Sequence, residues 1–370
     1  MKIISLLPGW IFGVIFFLLF LLGLAARHYL ASLCLLPGIV LLVPPLRLWV
    51  GGLVGMRIRW WLLVLLLPLL FFLFIFLVFK DMANPRSIYR DPRVEAKLMA
   101  IYDARMKQWP VPYEGRDLAT RFGKVHVIVS GPDGAPPVFL LHASSMASWS
   151  WLYNIEDLTR HFRIFAVDTI GDAGRSSLAD INRFPQNGEE LARLYREIMD
   201  RLGVSRAGFI GASQGGFIAT NIALHAPERV NKVVLCGPMG YAGTLGSVLR
   251  ILGTTMFPVR PIQESAIRWA FGADPRVKEF VGEWFRLIMA GVVPRQARPR
   301  AFSDEELQGL KMPVLMLLGQ RDGLVGDAEA AGRRISRFAN FRAAMLDTGH
   351  LISAEKPERF NQIVTDFLAD

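Results

Sequence analysis

Three residue types that together perform acyl transfer stand at separate points of the chain: Ser213 in "GASQG", Asp322 in "GQRDG" and His350 in "DTGHL". A serine hydroxyl attacks a carbonyl poorly until an imidazole takes its proton, and a carboxylate must fix that imidazole's tautomer. Ser213 would be the nucleophile, His350 the base and Asp322 the orienter. Glycines at 211 and 215 suit a strained elbow, where small neighbours let the chain bend and lift the hydroxyl. Taken alone, the five-residue pattern also fits an ordinary glycine-rich turn, so the weight rests on the two downstream partners.

The other five histidines are poorer bases. His28 lies in an apolar leader, His126 within a strand, His142 at a strand end and His161 in a polar connection. His225 ends a helix, where it suits the dipole. Asp347 competes with Asp322 but stands only three residues before His350. An oxyanion needs two N–H donors. Gln214, next after the nucleophile, offers one; "LLHASSMASW" offers the other from Ser144, with Ser145 as the alternative. Asp168 and Asp172 in "VDTIGDAGRSS" lack a third ligand, so turn formation is expected there and no metal. Arg295, Arg298 and Arg300 in "VPRQARPRAF" form a basic cluster, read as a solvated connection, with anion attraction as the alternative. No phosphate loop, dinucleotide fingerprint or zinc spacing stands out, and no cofactor is required.

These residues must be positioned by strands and helices. "VFLLHA", "FRIFAVD", "RAGFIGAS", "KVVLCGP", "PVLMLLG" and "FRAAMLD" are short continuous apolar runs, as in parallel strands covered on both faces. Helical segments alternate with them, so an α/β, doubly wound, mostly parallel sheet is expected, with its chemistry at the carboxyl ends of the strands. Ahead of it, "DLATRF" and "KVHVIVSG" read as paired strands turning at Gly123. "DPRVEAKLMAIYDARMKQWP" aligns Val94, Leu98, Ile101, Tyr102 and Met106 on one helical face, a docking helix. Between "CGPMGY" and "KMPVLMLLG" about 70 residues carry no strand signal. They include Trp269, Phe280, Trp284, Phe285 and Ile288, and are expected to form a helical cap.

The first 80 residues hold six basic side chains and no acidic one, and account for more than half of the net charge of +10. Ile3–Ala26 and Trp60–Phe79 are uncharged runs of about 20 residues, the length that crosses about 30 Å of hydrocarbon. A third span, Tyr29–Val43, is interrupted by Pro37; a re-entrant hairpin is the alternative. With three spans, Lys2, Arg47, Arg57 and Arg59 face one side and Arg27 the other, which puts the amino terminus in the cytoplasm and the large domain outside. Lys80, Arg86, Arg90 and Arg93 argue the opposite way. A multi-pass anchor of two to three helices in a bacterial plasma membrane is expected. The domains expected are 1–80 as this anchor, 81–115 as docking helix and linker, and 116–370 as the α/β domain with its cap at about 242–309. Basic residues are scattered rather than gathered in a stripe, so no nucleic-acid partner is expected. Cys34 and Cys236 sit in separate segments, which excludes a disulfide framework.

Taken together, "HASSM", "AVDTIGDAGRSS", "GASQGG", "LLGQRD" and "DTGH", in this order, resemble the α/β-hydrolase superfamily, and within it bacterial carboxylesterases. The resemblance covers roughly Asp91–Asp370 and leaves out the leader. It implies Ser213 as nucleophile, Asp322 as acid and His350 as base. It also implies a structural His142, followed here by Ala143 where the family has glycine. Serine at position 213 argues against the superfamily's epoxide hydrolases and haloalkane dehalogenases, which use aspartate. The function expected is a membrane-anchored carboxylesterase for lipophilic esters. An acyltransferase or thioesterase with the same triad, or a non-catalytic binding protein, are the alternatives.

Overall fold

The computed structural model describes residues 14–21, 32–43, 66, 68–77, 87–241, 260–271 and 275–370. The chain divides into two compact units, Met1–Pro85 with Leu252–Gln263, and Arg86–Ile251 with Glu264–Asp370.

In the first unit residues 14–21 and 68–77 are helical, as is α1 (Leu36–Leu42). Phe16, Leu35, Ile39, Leu42, Leu70 and Phe74 bury one another. Phe17, Leu18, Leu69, Phe72 and Phe76 are exposed. Among the described residues no helix is long and apolar enough to cross a membrane. The remaining parts of the expected spans Ile3–Ala26 and Trp60–Phe79 lie outside the described residues. The expected span Tyr29–Val43 is not one helix: residues 34–35 form a turn, and α1 restarts with Pro37 in its first turn. Proline is tolerated there because its missing N–H would be unpaired anyway.

The second unit is built on nine strands: β1 (Tyr113–Thr120), β2 (Gly123–Ser130), β3 (Pro137–Leu141), β4 (Arg163–Val167), β5 (Ser177–Leu178), β6 (Ala207–Ala212), β7 (Val230–Cys236), β8 (Val314–Gly319) and β9 (Phe341–Leu346). Their order in the sheet is β1-β2-β4-β3-β6-β7-β8-β9, with the short β5 beside β2. β1, β2 and β4 pair antiparallel, and every pair from β4 to β9 is parallel. The central runs are buried throughout, as their apolar continuity requires. β9 departs from that expectation, with Arg342, Ala343 and Met345 exposed, because it pairs on one side only. Phe139 of β3 stacks between Phe165 of β4 and Phe209 of β6, with ring centroids 5.0 and 5.2 Å away. These are the cross-strand partners that the register sets opposite one another.

The helices of this unit are α2 (Pro92–Met106), α3 (Ile155–Thr159), α4 (Gly188–Leu202), α5 (Gln214–His225), α6 (Arg260–Phe271, whose first four residues belong to the other unit), α7 (Pro275–Gly291), α8 (Asp304–Gln308), α9 (Ala328–Ile335), α10 (Ile352–Glu355) and α11 (Pro357–Ala369). α2 starts at Asp91, whose carboxylate accepts the Arg93 N–H, and it buries Leu98, Tyr102 and Met106. Val94 and Ile101 on the same face are half-buried. α2 lies against α7, where Arg105 donates to the carbonyls of Glu279 and Phe280. The expected cap is helical over α6, α7 and α8 but not over residues 292–303, which carry no helix; residues 242–259 and 272–274 lie outside the described residues.

From β3 the chain steps outward to β4, then returns across β3 to β6. The direction of winding therefore reverses at β3 and β6, and the crevice beyond their carboxyl ends is where such sheets bind ligands. The segment 142–145 leaves β3 at that place, and Ser213 leaves β6 beside it.

Candidate active site

Ser213 joins β6 to α5 with φ 51° and ψ −111°. A non-glycine residue held in such a region costs on the order of 1–3 kcal/mol and persists only where its surroundings over-determine it. Here the Ser213 N–H donates to the Cys236 carbonyl (2.9 Å), while its own carbonyl accepts from Met239, Gly216 and Phe217. The elbow is tight: a β-carbon on Gly211 would lie 2.3 Å from the Gly215 carbonyl oxygen, and one on Gly215 would lie 2.1 Å from that of Leu141. The serine hydroxyl does not cap the helix it precedes. That removes the ordinary reason for serine at a helix start.

Asp322 follows β8 and His350 follows β9. Asp322 Oδ2 lies 2.7 Å from His350 Nδ1, and both side chains are buried. Asp322 Oδ1 accepts the N–H groups of Leu324 and Val325, which fixes the carboxylate's plane. The pair closes on Gly237, in the turn between Cys236 and Met239, whose backbone groups hold Ser213. The structure thus brings the serine, histidine and aspartate of the sequence reading to one turn. Asp347 does not take part: it is exposed and pairs with Arg321 at 2.8 Å, tying the β8 and β9 loops together. Glu355 was not foreseen. Its buried carboxylate accepts the Gly349 N–H at 2.8 Å and so holds the residue before His350.

The first turn of α5 leaves the Gln214 N–H without an intrahelical acceptor. Beyond β3, the choice between Ser144 and Ser145 is decided by hydrogen bonding. The Ser145 N–H donates to Asp172 Oδ2 (2.7 Å), whereas among the described residues the Ser144 N–H has no partner. Among the described residues the N–H groups of Gln214 and Ser144 therefore stay unused, on backbone segments that pack against each other where Gly215 meets Leu141 and His142.

His142 is structural: Nδ1 bonds to the Ala143 carbonyl (2.8 Å) and Nε2 accepts the Thr169 N–H (2.9 Å). Asp168 and Asp172 hold the 168–176 turn. Asp168 accepts from Ser148 and Arg175, and Asp172 from Ser145, Ala173 and Gln296. No group of three or more metal-ligating side chains occurs among the described residues. Burial pushes the Asp172 carboxyl up to about 6, against the pull of His142 and of its N–H donors.

The "VPRQARPRAF" segment is more than a solvated connection. Arg298 and Arg300 are exposed, and Arg300 pairs with Glu306 at 2.8 Å. Its first half, however, is pinned down: Val293 N–H to Ile88, Arg295 N–H to Gly171, and the Ala297 carbonyl to Gln214 Nε2. From α7, Trp284 is buried against Trp149 and donates from Nε1 to the Ser145 carbonyl at 2.7 Å. Trp269 of α6 packs on Gly323, next to Asp322. Cap residues thus touch the acid loop and the oxyanion loop. Composition reveals the apolar cap but not which of its side chains reaches down.

Residues 136–257 match the alpha/beta hydrolase fold family. The chain is 32% identical over 280 residues to the carboxylesterase YbfK of Bacillus subtilis, covering 72% of this chain and 92% of that one. The crystal structure of naproxen esterase from Bacillus subtilis superposes with a TM-score of 0.68 at 28% identity, over 73% of this chain and 96% of that one. That of carboxylesterase CesB from the same organism gives 0.66 at 29% identity, over 75% and 98%.

Proposed function

The chain belongs to the α/β-hydrolase fold family, and on that premise we propose that it hydrolyses carboxylic esters through an acyl-enzyme on Ser213. Ser213 Oγ bonds to the acyl carbon as His350 takes its proton, and the carbonyl electron pair moves to oxygen. The N–H groups of Gln214 and Ser144 stabilise that oxyanion. Collapse breaks the bond to the alcohol, which leaves with the proton from His350. Water, deprotonated by His350, then attacks the acyl carbon; the bond to Ser213 Oγ breaks, Oγ takes the proton back from His350, and the acid is released. Asp322 holds the imidazole with Nδ1 protonated, so that Nε2 is the basic atom.

One observation carries this reading: a buried Asp322–His350 pair at 2.7 Å closes on the turn that holds a strained, uncapped Ser213. The relatives named as carboxylesterases support ester as the substrate class. The test is labelling by a fluorophosphonate probe, expected for the wild type and lost in Ser213→Ala. A folded wild type that neither labels nor cleaves p-nitrophenyl esters would sink the proposal.

The leader we read as a membrane anchor, with the hydrolase unit outside the cytoplasm. Its uncharged runs and the exposed Phe17, Leu18, Leu69, Phe72 and Phe76 support that reading. Resistance to carbonate extraction and reporters fused at the carboxyl terminus test anchoring and side. An apolar cap on a chain anchored in lipid favours lipophilic esters, so medium-chain neutral esters are expected to outpace short charged ones.

A further inference from the structure

The two N–H groups assigned to the oxyanion follow the ends of the paired strands β3 and β6, in loops that extend past the last paired residues, Leu141 and Gly211. A strap from the cap ties those loops together. Gln296 Oε1 accepts the Ser144 hydroxyl at 3.3 Å, and the next residue, Ala297, accepts Gln214 Nε2 on its carbonyl at 2.9 Å. Two consecutive residues therefore grip the two donor residues by their side chains. Beneath them, Asp172 Oδ2 accepts both Gln296 Nε2 (2.9 Å) and the Ser145 N–H (2.7 Å). Ser145 has φ 64°, a left-handed conformation that serine seldom adopts. It is held there from both sides, through its N–H by Asp172 and through its carbonyl by Trp284.

We propose that Gln296 is a positioning residue of the oxyanion hole: braced by Asp172, it fixes Ser144 against Gln214, so that the hole is assembled only when the cap strap is seated. The inference rests on the esterase reading. Three features make it specific. The Ser145 N–H, the competing donor, is consumed by Asp172. Gln296 uses both ends of its amide, accepting from Ser144 and donating to Asp172, which no shorter or apolar side chain reproduces. The strap itself is anchored independently through Val293 to Ile88 and Arg295 to Gly171, so it can hold a position rather than follow one.

The experiment compares the full chain with Gln296→Ala, Ser144→Ala and the double variant. The readouts are p-nitrophenyl ester kinetics, inhibition by a trifluoromethyl ketone and fluorophosphonate labelling. Loss of a single oxyanion donor typically lowers turnover by roughly 10²–10³; displacement of one is expected to cost about 10–100-fold in kcat, with KM changed less than about twofold. Affinity for the ketone, whose adduct carries the oxyanion, should fall in proportion to kcat/KM. The double variant should be no worse than Gln296→Ala, since both substitutions cut one linkage. An active wild type beside a Gln296→Ala variant with unchanged kcat and ketone affinity overturns the proposal. So does a raised KM at constant kcat, which would make Gln296 a substrate contact. If Gln296→Ala fails to fold, Ser144→Ala, which keeps every backbone donor, decides: unchanged ketone affinity there overturns it. A wild type without esterase activity or labelling overturns the esterase reading itself.

Discussion

Gly237 turns its α-carbon onto the carboxylate of Asp322. A β-carbon at that position would lie 3.0 Å from Asp322 Oδ2 and 3.3 Å from His350 Nδ1, and the residue has φ +49°. The turn that holds Ser213 is thus also the floor on which the acid and base rest. In Gly237→Ala the methyl group and the backbone both resist. The variant is expected to lose on the order of 1–3 kcal/mol of stability and, through misplacement of His350, up to about 10²-fold in kcat. Urea unfolding and ester kinetics measure the two losses; an unaffected kcat would show that the pair tolerates the shift.

Asp322→Asn should keep the fold, because its side-chain carbonyl can still accept from Leu324 and Val325. It lets the imidazole take the wrong tautomer, so kcat is expected to fall by about 10⁴ at neutral pH with little change in KM. A loss below tenfold would assign the orienting role elsewhere.

Asp172 makes stability depend on pH. Its carboxyl is raised from 3.8 to about 6 by burial, with His142 and its N–H donors opposing, and the Tyr89 phenol feels its charge. Between those values the folded chain binds more protons than the unfolded one. The contribution is therefore full below about pH 4 and lost as pH rises through about 6, a change of about 3 kcal/mol. Relative to the wild type, Asp172→Asn is expected to gain that much between pH 4 and 7. Unfolding curves at intermediate pH check it, and a pH-independent difference would contradict it.

Phe139 tests what holds β3 beside β6. It is fully buried between two stacked rings. Phe139→Ala should cost about 3–5 kcal/mol, while esterase activity of the remaining folded fraction is expected to stay near the wild-type level at low temperature. Denaturant unfolding gives the first quantity and active-site titration the second.

Much of this was legible in the order of residues. Short continuous apolar runs bounded by turn residues suit strands covered on both faces, so the parallel sheet was legible along the chain, although the edge strand β9 is partly exposed. The spacing of Gly211, Ser213 and Gly215 marked the elbow, and the chain order of Ser213, Asp322 and His350 suggested the roles proposed for them, because those depend on residue type and on which strand end carries them. The sequence by itself also determined that the basic leader holds two long uncharged runs and that the cap is apolar. Tertiary structure alone decided the rest. Ser144 rather than Ser145 keeps its N–H because Asp172, 27 residues on, takes the other. Gln296 and Trp284 reach the oxyanion loop across separations of more than 120 residues, and Glu355 braces His350 through a neighbour's backbone. Hydrogen bonds of this kind depend on where a backbone N–H or carbonyl points, and every residue type carries those groups. No spacing of side chains along the chain records their direction; only the packed fold does.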